Sequence, residues 1–217
     1  MKNQNEIKIS AFIALFTAII SVGCVMAIPL PGGVPISLQN FFCVLAGCIL
    51  GTYKGFFAVL LWMILGAIGV PVFASAHAGL GVLLGPTGGY IAGYALASLF
   101  AGLLLGSPKI EEKSQKKSLF LKTLVVVFFS YALVYVPGIP RFMSVMAANG
   151  KPQTFQNALS MTFIPFIPGD LIKFFVTVSL SLSLRPIAAR YLFPPKISEE
   201  ETALKKIAQK NQKEEEK

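Results

Sequence analysis

The chain has 217 residues, 54% of them hydrophobic and only 13% charged, with a mean hydropathy of +0.68. Soluble domains carry roughly 25% charged residues, so the deficit points to a membrane protein. The net charge of +9 does not signal nucleic acid, because the basic residues gather at segment ends, in one internal loop and in the C-terminal tail rather than in a stripe interleaved with aromatics.

Residues 1–8 form a polar, basic lead, and no charged residue then occurs from Ile9 to Tyr53. That stretch is too long for one span and long enough for two, at about 20 residues each. The break falls at Ile28-Pro29-Leu30-Pro31-Gly32-Gly33-Val34-Pro35, which no helix crosses. Span 1 is therefore expected over about 9–28 and span 2 over about 36–52. The first apolar stretch lacks a small-residue cleavage site and is long enough to span, so a cleavable signal peptide is not expected. Cys24, Cys43 and Cys48 lie in apolar segments at no zinc spacing, and read as packing residues. With His77 as the single histidine, no multi-histidine metal site is expected.

Span 3 is expected from Gly55 to about Val70, stopped by Pro71. The run from Phe73 through Ala74, Ser75, Ala76 and His77 to Gly81 is too rich in small residues for a core helix and too apolar for an exposed loop. It reads as a loop dipping into a binding cavity, since irregular backbone at membrane depth must be buried or line a cavity. Span 4 is expected to start near Gly85-Pro86-Thr87-Gly88-Gly89-Tyr90, with Pro86 in the first helical turn, and to end near Gly106. Gly85, Gly89, Gly93, Ala97 and Ala101 recur every fourth residue, a stripe that lets a neighbouring backbone approach. Lys109, Lys113, Lys116 and Lys117 mark a polar loop. Span 5 is expected over about 119–136, ended by Pro137-Gly138-Ile139-Pro140. A short amphipathic helix and loop follow over 141–160, and span 6 runs over about 161–184. Arg185, Arg190, Lys196 and a Lys/Glu-rich tail close the chain.

Six spans put both termini on one side of the bilayer. With the N-terminus inside, the inner face holds nearly every lysine and arginine, and the outer face only Arg141 and Lys151, as the positive-inside rule asks. The expectation is an all-α integral membrane protein: six transmembrane helices, N-in/C-in, residues 1–195 as one domain and 196–217 as a charged cytoplasmic tail. The loops after spans 1 and 3 and the start of span 6 then converge on one outward-facing cavity.

Asp170 and Lys173 open span 6. On a helix they share a face, about 5–6 Å apart at Cβ. A charge at the bilayer centre costs roughly 2.5–3.5 kcal/mol even on the lenient insertion scale, so the two need each other, a ligand or a wet pocket. A self-satisfied structural pair and a binding site both remain open on this evidence. No Gly-x-x-x-x-Gly-Lys-[Ser/Thr] phosphate loop is present, and no Ser/His/Asp set is credible, so neither ATP hydrolysis nor catalysis by this chain is expected. A binder fits better. Lys173 offers a fixed positive charge, while Asp170, Gln39 and Asn40 offer hydrogen bonds. Helix starts near Pro168 and Pro86 offer N–H groups, with the Thr87 hydroxyl and the Gly88 backbone beside the latter. Phe73, Tyr90 and Phe166 give apolar walls. The implied ligand is small and partly apolar, with one carboxylate and one hydrogen-bonding head.

Four stretches carry a resemblance: 35–40 (Pro-Ile-Ser-Leu-Gln-Asn), 69–74 (Gly-Val-Pro-Val-Phe-Ala), 84–93 (Leu-Gly-Pro-Thr-Gly-Gly-Tyr-Ile-Ala-Gly) and 167–173 (Ile-Pro-Gly-Asp-Leu-Ile-Lys). Together they resemble BioY, the biotin-specific S component of energy-coupling factor (ECF) vitamin transporters, over about residues 9–190. The resemblance implies a six-helix S-component bundle in the plasma membrane that binds biotin and needs no cofactor. It implies that Asp170 and Lys173 contribute to the biotin site, with Phe73, Ala76, His77 and the Thr87, Gly88 and Tyr90 region beside them. It also implies a separate transmembrane T component and two ATP-binding subunits as partners. Ala14 and Ala18 resemble the Ala-x-x-x-Ala motif through which S components dock on the T component. An S component for another carboxylate vitamin and a self-sufficient biotin facilitator are the alternatives.

Overall fold

The computed structural model describes residues 2–30, 34–109 and 116–193. The Pro31-Gly32-Gly33 break, Lys113, Lys196 and the tail over 196–217 lie outside these residues. Eight α-helices are present among those described: α1 (Lys2–Val22), α2 (Gln39–Leu50), α3 (Thr52–Ala67), α4 (Leu80–Leu84), α5 (Gly88–Leu105), α6 (Lys116–Ala148), α7 (Phe155–Thr162) and α8 (Ile167–Leu192). Among the described residues no strand is formed, and the isolated bridges are those of Ile28 with Ile36 and Phe73 with His77. Among the described residues, three helical stretches are long and apolar enough to cross a membrane: Gly88–Leu105, Lys117–Ala148 and Phe155–Leu192.

Glycines set how closely the helices approach. Gly51 alone joins α2 to α3, at φ +78°. A Cβ on Gly47 would sit 2.1 Å from the Ser98 carbonyl, and one on Gly102 2.6 Å from Thr52. The small stripe of α5 does what its spacing suggests: Gly89 abuts Pro137 and Gly138, Gly93 abuts Val134, and Ala97 and Ala101 are fully buried. Gly85 falls outside the helix, because α5 begins only at Gly88. Pro86 accordingly lies in the turn before α5 rather than in its first turn.

Several boundaries differ from the sequence expectation. α1 ends at Val22, not near residue 28. The chain turns over 23–26 and is extended only from there on, with Ile28 and Ile36 exchanging two hydrogen bonds of 2.7 and 2.9 Å. α6 runs straight through Pro137 and Pro140 to Ala148. Membrane helices tolerate proline because neighbours and local adjustments re-satisfy the freed carbonyls, and here α5 is packed backbone to backbone against that turn. The segment after it is α7, capped by Thr154, whose hydroxyl accepts from the Asn157 N–H at 3.3 Å. The long helix expected as span 6 is α8, which begins at Ile167 after a 3-10 turn at Ile164–Phe166.

α1 and α3 stop early, and α2 starts late, at the same end of the bundle. α2 and α3 have 12 and 16 residues, below the ~20 that a full apolar crossing takes. Segments 23–30, 34–38 and 68–87 fill the vacated space, and they wall a cavity there.

Candidate functional site

The cavity has a volume of about 240 Å³. Three sources line it: the residues flanking the start of α2, with Leu30, Val34 and Gln39; the 73–87 segment with Phe73, His77 and Thr87; and α5 with Tyr90, Ile91 and Tyr94. Phe73 is buried with its ring edge-on to Trp62 at 5.2 Å, and it rests over Gly66, where a Cβ would strike the ring at 2.2 Å. Gln39 Nε2 and Trp62 Nε1 both donate to the Val72 carbonyl, at 2.6 and 3.0 Å. That shared acceptor ties α2, α3 and the Phe73 loop together. Ser75 and Ala76 adopt positive φ, 59° and 57°, a conformation that costs a non-glycine residue about 1 kcal/mol or more. Short side chains keep that cost low. The turn is closed by His77, whose Nδ1 lies 2.9 Å from the Ala74 carbonyl.

Against the cavity's α2 side lies a buried ionic network. Lys173 Nζ donates to Asp170 Oδ1 at 2.8 Å, to Asn40 Oδ1 at 2.9 Å and to the Ser37 carbonyl at 3.0 Å. All three ammonium donors are thus engaged. Asp170 also accepts from Asn40 Nδ2 at 3.0 Å and from the Tyr135 hydroxyl at 2.5 Å. One turn further along α8, Thr177 donates to the Lys173 carbonyl and meets the Tyr131 hydroxyl at 3.1 Å. Lys173 is 7% exposed. An ion pair this deep in an apolar bundle is weak evidence for stability, because desolvation offsets the attraction. Buried ionisable groups in spans mark functional sites by default.

The structure sorts the expected residues into groups. Asn40, Asp170 and Lys173 form the network. Gln39, Phe73, His77, Thr87 and Tyr90 line the cavity. The two are joined through the first turn of α2, where Gln39 and Asn40 are consecutive. Phe166 is buried in the core beside the network. Ala76 is exposed at the tip of its turn and Gly88 is buried against the Leu83 carbonyl, so neither touches the cavity. The Thr87 hydroxyl donates back to Val82 at 3.3 Å. Ala14 and Ala18 are exposed on α1, on the face away from buried Phe16, Thr17 and Ile20. The three cysteines are buried and unpaired.

Sequence reasoning missed Tyr135, Tyr94 and the backbone of Ser37. Tyr131 and Tyr135 are one helical turn apart inside an apolar run, and two phenols on one face were the signal available. Tyr90 carries a further mark: its hydroxyl is buried without a hydrogen-bond partner, and its ring sits edge-on to Tyr135 at 6.1 Å.

A profile of the BioY family matches residues 1–190. The chain belongs to the BioY family. It is 37% identical over 173 residues to the biotin transporter BioY of Thermotoga maritima, covering 80% of this chain and 93% of the relative. With the biotin transporter BioY of Rhodobacter capsulatus it shares 38% over 169 residues, 76% and 86% of the two chains. Its fold is similar to the crystal structure of the S-component for biotin from an ECF-type ABC transporter, with a TM-score of 0.69 and 29% identity over 85% of this chain and 94% of that one. In this BioY-family chain the four stretches that carried the resemblance converge: 35–40 and 167–173 supply the ionic network, while 69–74 and 84–93 wall the cavity beside it.

Proposed function

We propose that this chain is the biotin-capturing S component of an ECF-type vitamin transporter. The observation that carries the reading is a buried Asp170/Lys173/Asn40 network built against a mostly apolar cavity, in a chain that matches a biotin S-component over 85% of its length. Biotin has an apolar middle, a carboxylate and a neutral ureido head. The ring-lined cavity suits the middle. For a polar end, Lys173 exchanges the Ser37 carbonyl or Asn40 for a ligand acceptor, and Asp170 accepts a ligand N–H or steadies Lys173.

The same reading takes α1, α2, α3, α5, α6 and α8 as six crossings of the plasma membrane, with both termini and the 196–217 tail cytoplasmic. Lysine placement supports this orientation, and the cavity then opens outward. The chain acts as a binder and not an enzyme, driven by a separate T component and two ATP-binding subunits. Calorimetry of the purified chain with biotin, without ATP, tests the proposal. Saturable one-site binding is expected, and no heat with biotin but heat with another vitamin would sink it.

Docking gives a second test. Ala14 and Ala18 are exposed one turn apart on α1, where small side chains admit close approach of another helix. Ala14→Trp is expected to leave biotin binding by the purified chain intact and to abolish uptake in cells that hold the complete transporter. Normal uptake by that variant would remove α1 as the docking face.

A further inference from the structure

One wall of the cavity is α4 and the turn after it, through Gly81, Val82, Gly85 and Pro86. α4 has five residues and buries none of them fully; Leu80 and Leu84 are 62% and 66% exposed. A helix this short does not hold by itself. Its entry is pinned by backbone, with the Gly79 N–H donating to the Gly66 carbonyl at 2.7 Å. Gly79 has φ +91°, so the segment has a swivel at that point. At its other end the carbonyls of the last turn lack helical partners. The Arg141 guanidinium donates there, to the Leu84 carbonyl. A cation at a helix C-terminus is favoured by both hydrogen bond and dipole. Among the described residues, Arg141 is the only side chain beyond segment 73–87 that hydrogen-bonds to α4.

The base of that arm is tightly packed. Arg141 is half-buried on α6, and its Cβ lies where a Cβ on Gly89 would come within 2.5 Å, so α5 and α6 are locked backbone to backbone at its root. A fixed helix pair thus reaches out by one side chain to a marginal helix that covers the cavity.

We propose that Arg141 latches α4 over the cavity, and that release of this bond is the step that lets a bound ligand leave. Arg141 is a positioning residue here, acting through α4. The inference rests on the reading that the cavity holds the ligand.

The test compares wild-type chain, Arg141→Ala and Arg141→Lys, purified in nanodiscs. Dissociation of labelled biotin and hydrogen exchange over 79–87 are both measured. A lost hydrogen bond to a charged donor predicts about a tenfold faster dissociation for Arg141→Ala. The association rate should not fall and the unfolding temperature should hold. Arg141→Lys, with a single-point donor in place of the fork, should fall between. Exchange over 79–87 should rise in the alanine variant. If wild type binds biotin and Arg141→Ala releases it at the wild-type rate, the latch is overturned whatever exchange does. If wild type binds no biotin, the transport reading fails by itself. Exchange then decides the latch alone, faster exchange supporting it and equal exchange overturning it.

Discussion

Lys173→Ala is expected to weaken biotin binding by at least about a hundredfold, the equivalent of roughly 2.7 kcal/mol, while leaving a folded bundle. Two effects have to be separated. Removing the ammonium deletes a donor to the ligand, and it also strands the Asp170 carboxylate, which keeps only Asn40 and Tyr135 as donors. A stranded buried charge destabilises by itself, by about 3–5 kcal/mol. The double variant Asp170→Asn/Lys173→Met keeps shape and removes both charges. It should recover most of the unfolding temperature and none of the affinity. Calorimetry with biotin beside thermal unfolding reads both quantities. Wild-type affinity in Lys173→Ala would mean that the pair is only structural and that the ligand's polar end binds elsewhere.

At the opposite end of the bundle, Arg185→Met should cost stability more than binding. Arg185 is fully buried on α8, yet it donates to three carbonyls at helix ends: Cys48 at 2.5 Å, Leu105 at 3.2 Å and Gly106 at 3.3 Å. These are the orphan acceptors where α2 and α5 stop, and the guanidinium sits at the negative end of both dipoles. Each buried acceptor left bare costs roughly 1–3 kcal/mol. The loss for three is at least about 3 kcal/mol, or on the order of 10 °C in unfolding temperature for a chain of this size. Arg185→Lys should lose less, since it keeps the charge and one or two of the bonds. An unchanged unfolding temperature in Arg185→Met would show that these carbonyls are satisfied without it.

Much of the architecture was legible because membrane helices write their own boundaries. Charge-free runs and lysine-marked turns located the principal helices. The pairing of Asp170 with Lys173 followed from their spacing on a helix. The failures share a cause: local signals lost to packing. Pro137 and Pro140 read as a stop, but α5 presents Gly89 and Gly93 there, and the close backbone contact carries α6 onward. The apolar residues after Val22 read as more helix, yet Ile28 and Ile36 pair as extended chain. Hydropathy alone does not separate these states. Tyr135 stayed hidden because a tyrosine in an apolar run looks like packing until Asp170 is placed 2.5 Å from its hydroxyl. His77 was legible as a cavity residue. Ala76 was not separable from it, because nothing in the sequence says that Ala76 sits in a left-handed turn at φ +57° while His77 is extended at φ −73°.

The glycine contacts that join α2, α3 and α5 lie at the end remote from the cavity, and they have a consequence for how such a protein changes over time. Gly47, Gly55 and Gly102 meet backbone where any side chain would collide, so that half of the molecule can accept almost no drift. The cavity walls are held by carbonyls and short loops, at Val72, Leu84 and the 73–77 turn, and they can accept many sequences. Divergence among such proteins is therefore expected to concentrate in the cavity-lining residues of 34–38 and 68–87 rather than at these glycines.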